Sequence, residues 1–298
     1  MKNHPKKDVY QIITDLIIAK MEEGIVPWKK PYHKFGPASN YVTKKPYQGI
    51  NYFALNSLGH DYPFYLTFIQ TSGLGGKVKK GSKSIPVTYW NFIYTDKESQ
   101  KRISPEEAKK LPSKQVSKSA FLRYYSVFNI TDVEGIDFKF PDTIVKPENE
   151  KIADCETIIA SMPFPPRIQH QGNQPFYSPP MDYVNMPAIE FFQNAEAYHA
   201  ILFHELIHST GHKTRLARTE IIENQPFGSD SYSKEELTAE MGACFLTNLA
   251  RIQSETTIGD SAAYIKNWLT VLRNDKKFVI EAAGKAQKAV NYILKKGD

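Results

Sequence analysis

The stretch Phe203-His204-Glu205-Leu206-Ile207-His208-Ser209 carries the spacing His-Glu-x-x-His. On an α-helix, residues four apart share a face. His204 and His208 can therefore aim two imidazoles at one point, and Glu205, one step round, can overhang it. That arrangement suits one divalent metal ion, zinc first, with a carboxylate poised to take a proton from a water held there. The neighbouring Ala200, Ile201, Leu202, Phe203, Leu206 and Ile207 are apolar, so the helix is expected to be largely buried. Buried polar side chains need partners, and a cation supplies one. The bland alternative is a pair of histidines bonded to nearby backbone.

A third ligand downstream argues against that alternative. Ser233-Lys234-Glu235-Glu236-Leu237-Thr238-Ala239-Glu240 opens a second expected helix, Glu235 to about Ala250, with apolar Leu237, Met241, Ala243, Cys244, Phe245 and Leu249. Glu236 and Glu240 are four apart and share a face. Glu236 is the expected third ligand. Glu240 is the expected partner that orients a ligating histidine, the next choice as ligand, and Glu235 is the third. Ser233-x-x-Glu236 is also a capping box, in which Glu236 would bond the Ser233 backbone N–H instead. The chemistry implied is metal-assisted hydrolysis, with Glu205 as general base. Tyr232 and His212 are candidates for stabilising the oxyanion; His212 shares the face of His208 only if the helix continues past Gly211. The ligand types leave manganese and cobalt open beside zinc.

These residues need elements to hold them. At 298 residues, 41% hydrophobic and 23% charged, the chain has room for two ordinary domains and the composition of a folded soluble protein. No apolar run reaches membrane-spanning length. Met1–Asp8 leads into an amphipathic segment rather than a signal core. Two cysteines, Cys155 and Cys244, make no disulfide framework, so the cytoplasm is the expected compartment. Residues 1–130 hold 21 Lys+Arg against 9 Asp+Glu, whereas residues 131–298 hold 17 against 23. A basic half joined to an acidic half points to a polyanion partner for the first half only.

The basic half opens with a helix at about Lys7–Glu23, stopped by Gly24. Loops follow at Val26–Tyr32 and Asn40–Asn51, each mixing lysine, proline and an aromatic residue. A short helix is expected at Asn51–Ser57 and a strand at Tyr62–Phe68. The Gly73–Ser84 loop brings Lys77, Lys79, Lys80 and Lys83 together without the ending of a nucleotide P-loop. Strands are expected at Ile85–Tyr94, with Thr88, Trp90, Phe92 and Tyr94 on one face, and at Ala120–Asn129; a short helix at Pro105–Lys110 lies between. Lysines that track a backbone and rings that stack on bases are what unpaired nucleic acid requires. The candidate contacts are Trp28, Lys29, Lys30, Lys44, Lys45, Tyr47, Asn51, Lys77, Lys79, Lys80, Lys83, Trp90 and Arg123, with single-stranded DNA as partner. Tyr65, Phe68 and Phe128 are read as core.

The expected organisation is α+β in two domains: a basic domain at 1–135, a linker at 136–150, and a mainly helical domain with a small sheet at 151–298. In the second domain, helices are expected at Ile152–Met162, Ala262–Asn274 and Val279–Leu294, and short strands at Gln174–Tyr177 and Asp182–Met186. Asn194 is placed to cap the motif helix, and Tyr264 and Trp268 are read as core.

Taken together, Val26–Tyr32, Asn40–Asn51, Leu74–Trp90, Leu122–Gly135, Tyr183–Pro187, Phe203–Leu216 and Glu235–Leu246 resemble the ArdC-type antirestriction proteins of conjugative plasmids and related mobile elements. The resemblance implies an N-terminal domain that binds single-stranded DNA and a C-terminal zincin-like metallopeptidase domain. It also implies a role in protecting incoming DNA from host restriction, with a host restriction or DNA-associated protein as the substrate to be identified. Zincins with a Glu third ligand often carry Asp or Glu four positions on, which matches Glu236 and Glu240.

Overall fold

The computed structural model describes residues 8–29, 33–143, 146–223, 230–253 and 262–296. Two α+β domains follow one another along the chain. The first contains α1 (Val9–Glu22), a 3-10 turn at Pro27–Lys29, β1 (Ser39–Asn40), α2 (Ile50–Asn56), β2 (Phe64–Leu66), α3 (Phe68–Gly73), β3 (Lys77–Val78), β4 (Ile85–Asp96), β5 (Arg102–Ile103), α4 (Pro105–Lys110), β6 (Val116–Asn129) and β7 (Val133–Glu134). The second contains α5 (Glu148–Ser161), β8 (Arg167–His170), β9 (Phe176–Ser178), β10 (Tyr183–Met186), α6 (Ala195–Thr210), α7 (Thr219–Ile222), α8 (Asp230–Ala250), α9 (Ala262–Asn274) and α10 (Phe278–Ile293).

Local chemistry sets most of the boundaries. Asp8 caps α1 by accepting from the Tyr10 N–H, and Gly24, at φ +80, follows the helix end. Thr67 with Gln70, and Ser104 with Glu107, close capping boxes at α3 and α4. The Asn194 side chain accepts from the Ala197 N–H and starts α6. The second expected helix begins earlier than its sequence suggests: α8 starts at Asp230, so Ser233 lies inside it. The capping-box reading of Ser233 and Glu236 is thereby overturned, because a helix interior has no free N–H at that position to cap.

The N-terminal sheet has the order β1-β2-β6-β4-β5. Its dominant feature is an antiparallel ribbon in which β4 and β6 pair from Ile85↔Val127 to Asp96↔Val116. The C-terminal sheet has β10 at its centre, parallel to β8 and antiparallel to β9. One hydrophobic core crosses the domain boundary. Ile13 and Ile17 of α1, Trp28, and Phe53 of α2 pack with Leu237 and Met241 of α8, Trp268 of α9 and Phe278 of α10. A second core gathers Cys155, Val184, Phe203, Leu206, Leu246 and Val290 behind the motif helix. The segment expected as a linker is laid back over the first domain: Phe140 stacks on Tyr62 at 4.3 Å and Phe138 meets Tyr41 edge-on at 4.9 Å.

Candidate metal centre and nucleic-acid surface

Helix α6 is buried along most of its length, from Tyr198 to Thr210. It crosses α8 closely because Gly242 has no side chain. A Cβ built there would meet the Ile207 side chain at 2.6 Å. This near approach brings Glu236 over the two histidines. His204 Nε2 and His208 Nε2 face each other at 3.1 Å. Glu236 offers one carboxylate oxygen to each, Oε2 at 3.6 Å from His204 and Oε1 at 3.6 Å from His208. Among the described residues, these three side chains form the one group whose donor atoms all lie within 4.8 Å of one another. A tetrahedral ion with bonds of about 2.1 Å needs donors about 3.4 Å apart. The residues fit a divalent cation.

The surroundings demand positive charge at that point. His208 Nδ1 pairs with Glu235 Oε1 at 3.1 Å, which leaves Nε2 to face the site. Burial opposes a charge on His208, yet the bond to Glu235 and the fields of Glu236 and Glu205 push its pKa up to about 9. Burial likewise opposes charge on Glu236, but His204 and His208 outweigh it and hold the carboxyl down at about 2. Glu205 is buried within charge–charge reach of His208 and Tyr232. The Tyr232 hydroxyl bonds Glu236; burial first, then that carboxylate, pushes its pKa up to about 12.

Glu235, not Glu240, is the carboxylate bonded to His208. Arg218, buried beside it, grips Glu235 with Nε to Oε2 at 2.8 Å and Nη2 to Oε1 at 2.6 Å. The same guanidinium holds the end of α6, through Thr210 Oγ1 at 2.6 Å and the Ile207 carbonyl at 2.7 Å. Gly211 makes room for it: a Cβ there would lie 3.0 Å from Arg218 Nη2. Glu240 instead accepts from Trp28 Nε1 at 2.9 Å and from the Tyr264 hydroxyl. Burial raises its pKa, and it lies within electrostatic reach of His204. Tyr264, read as core, is thus part of the site's surroundings. His212 lies beyond the end of α6 at Thr210; its Nδ1 accepts from Thr214 Oγ1 at 2.8 Å and lies 4.0 Å from Asp182, outside the three-donor group.

The expected DNA contacts divide. Trp28 is 2% exposed and Tyr47 is 8% exposed, so neither ring is open to a base. Asn51 is spent on Thr88, donating to its carbonyl at 2.7 Å and accepting from its N–H at 2.7 Å. Lys29 sits with Nζ 4.6 Å over the Tyr264 ring. Lys30 lies outside the described residues. Lys44, Lys45, Lys77, Lys79, Lys80, Lys83 and Arg123 are exposed, although Lys79 Nζ donates to the Thr131 carbonyl. Trp90 is 49% exposed. It belongs to a larger set on the ribbon. Tyr89, Arg123, Phe121 and Tyr125 line one face, and Trp90, Phe92 and Tyr124 line the other, all of them exposed. Lys118 Nζ lies 4.1 Å over Phe92. Alternation along β4 was legible; Phe121 lay inside the expected strand Ala120–Asn129, but only its pairing opposite Asn91 places it on the face of Tyr89. Phe68, read as core, is exposed on α3.

Comparison with known proteins finds relatives for both halves of the chain. The N-terminal domain of anti-restriction factor ArdC matches residues 7–128, and a zincin-like metallopeptidase family (MPTase-PolyVal) matches residues 153–285. The "Uncharacterized protein y4eC" of Sinorhizobium fredii is 32% identical, over 96% of this chain and 91% of its own length. A protein named DNA primase TraC, from Escherichia coli, is 30% identical over 97% of this chain, which spans 27% of that longer protein. Crystal structures of the antirestriction ArdC protein from plasmid R388 superpose over 97% of this chain at 29% identity. The metal-free form, covered over 97% of its length, gives a TM-score of 0.72, and the Mn(II)-bound form, covered over 98%, gives 0.70. With both domain matches in this order and a near full-length structural counterpart, the chain belongs to the ArdC-type antirestriction family.

Proposed function

We propose that this antirestriction protein combines a metal-dependent peptidase centre with a surface for single-stranded DNA, and that the pair protects incoming mobile-element DNA from host restriction. The observation that carries the hydrolytic half is the convergence of His204, His208 and Glu236 next to the buried Glu205. His204 and His208 would hold a divalent cation through Nε2 and Glu236 through a carboxylate oxygen. Bound there, the ion supplies Lewis acidity at neutral pH. Zinc suits two histidines and a glutamate; the Mn(II)-bound ArdC relative keeps manganese in view. Glu205 takes a proton from the attacking water and delivers it to the leaving amine. Tyr232 stays protonated through neutral pH, since its pKa stands at about 12, and by turning from Glu236 its one O–H can meet charge developing on the substrate carbonyl oxygen. A structural metal site has four protein ligands and no use for a general base.

The DNA half rests on the excess of 21 Lys+Arg over 9 Asp+Glu in residues 1–130 and on the exposed aromatic ribbon of β4 and β6. Rings on such a ribbon stack on bases of any identity while lysines track the phosphates. Kinship with a protein named DNA primase supports a nucleic-acid partner.

Glu205→Gln separates the two halves. Peptide cleavage is expected to fall by about 10²–10⁴-fold, while metal content and oligonucleotide affinity stay at wild-type levels. If transfer of a plasmid into a restricting host is protected in full by this variant, DNA coating alone suffices and the peptidase reading loses its place in the function.

A further inference from the structure

We propose that Trp28, contributed by the N-terminal domain, is a positioning residue of the metal centre: it holds Glu240 and so keeps the ligand set at Glu236. The proposal rests on the reading of His204, His208 and Glu236 as metal ligands. Trp28 sits in the 3-10 turn Pro27–Lys29, and its indole stands edge-on to Trp268 with centroids 6.1 Å apart. A buried indole N–H needs an acceptor. Its acceptors here are Glu240 Oε2 at 2.9 Å and the Tyr264 hydroxyl at 3.1 Å. Tyr264 in turn donates to the same Glu240 oxygen. Two donors from two different domains thus converge on one carboxylate oxygen.

That carboxylate stands one helical turn beyond Glu236, on the same face of α8, and within electrostatic reach of His204. A buried carboxylate within electrostatic reach of His204 is a competing ligand unless it is engaged elsewhere. Trp28 and Tyr264 engage it, which leaves the site to Glu236 and fixes the field that His204 feels. The second donor comes from α9 of the zincin-like domain itself; the first can come only from the other domain. Lys29, next in sequence, lies over the Tyr264 ring and ties the turn down on the same network.

Trp28→Phe in the full-length protein removes the donor and keeps a ring in the core. Affinity for Zn²⁺ and Mn²⁺ is read by competition with a chelator, beside the melting temperature of the metal-free protein. The expected result is metal binding weakened by about 3–10-fold, less than the 10–100-fold typical of a ligand's direct partner. The double variant of Trp28→Phe with Glu240→Gln is expected to bind metal no worse than Glu240→Gln alone, since both act through one carboxylate. Tyr264→Phe removes the other donor and reads the same network should Trp28→Phe fail to fold. Wild-type metal affinity in Trp28→Phe, or in Tyr264→Phe where that is the variant read, overturns the proposal, as does full additivity with Glu240→Gln. A wild-type protein that binds neither ion sinks the metal reading and this inference with it, whereas an unaltered Trp28→Phe variant sinks only the inference.

Discussion

Arg218 bonds four groups at once: the carboxylate that orients His208, a threonine hydroxyl near the end of α6, and the backbone carbonyls of Ile207 and His208 in that helix. Removing it strands Glu235 as a buried charge beside His208, one of the proposed metal ligands. Arg218→Ala is therefore expected to destabilise the fold by about 3–5 kcal/mol and to weaken metal binding by about 10–100-fold. Denaturant unfolding and chelator competition measure the two effects. Arg218→Lys keeps the charge but loses the two-pronged grip, and should fall between. Proton linkage at the same residues gives a second test. The folded-state pKa of His208 stands at about 9, above its ordinary 6.5. The stability it contributes is complete below pH 6.5 and is lost as pH rises through 9. Glu236 is held at about 2 against an ordinary 4.5, so its contribution is present above 4.5 and is lost as pH falls through 2. Calorimetry with chelator present should show the melting temperature falling from pH 6.5 to 9 on the His208 limb. An excess of divalent metal should reverse that limb, because metal binds the ligand only after its proton has left.

Two elements do most of the positioning, and each invites its own measurement. The α6–α8 pair works through small residues: Gly242 lets the helices touch at Ile207, and Gly211 admits the guanidinium. The β4–β6 ribbon works through exposure on both faces. Trp90→Ala and Phe121→Ala are each expected to weaken binding of a single-stranded oligonucleotide by about 1–3 kcal/mol, read by fluorescence anisotropy. Tyr47→Phe should leave the affinity unchanged, since that ring is buried against Tyr65. A larger loss from Tyr47→Phe than from Trp90→Ala would mean that DNA enters elsewhere.

The molecule as a whole is less divisible than its two family matches suggest. The core that holds Ile13, Ile17, Trp28 and Phe53 also holds Leu237, Met241, Trp268 and Phe278. Burial of such side chains is worth about 1.5–3 kcal/mol each. A fragment of residues 151–298 would expose this face of α8, α9 and α10. It is expected to aggregate or to bind a hydrophobic dye strongly, whereas the full chain does neither. A well-dispersed, cooperatively melting fragment would show that the shared core is dispensable.

Much of this protein follows from local chemistry. The helix start at Pro105, the cap at Asn194, the alternation along β4, and the four-residue spacing of His204 and His208 all act between neighbours in the chain, so each is legible from residue type and spacing, whereas Thr67, placed in an expected strand, instead caps α3. The same spacing put Glu236 and Glu240 on one face but could not say what stood opposite each. That was decided by how α8 is rotated and how closely it approaches α6, which brings Glu235 to His208 and turns Glu240 toward Trp28. Trp28 carries the loop signature of an exposed aromatic and is buried, because its partner lies 212 residues away. Periodicity reports which residues share a face; only the packed chain determines what each face meets.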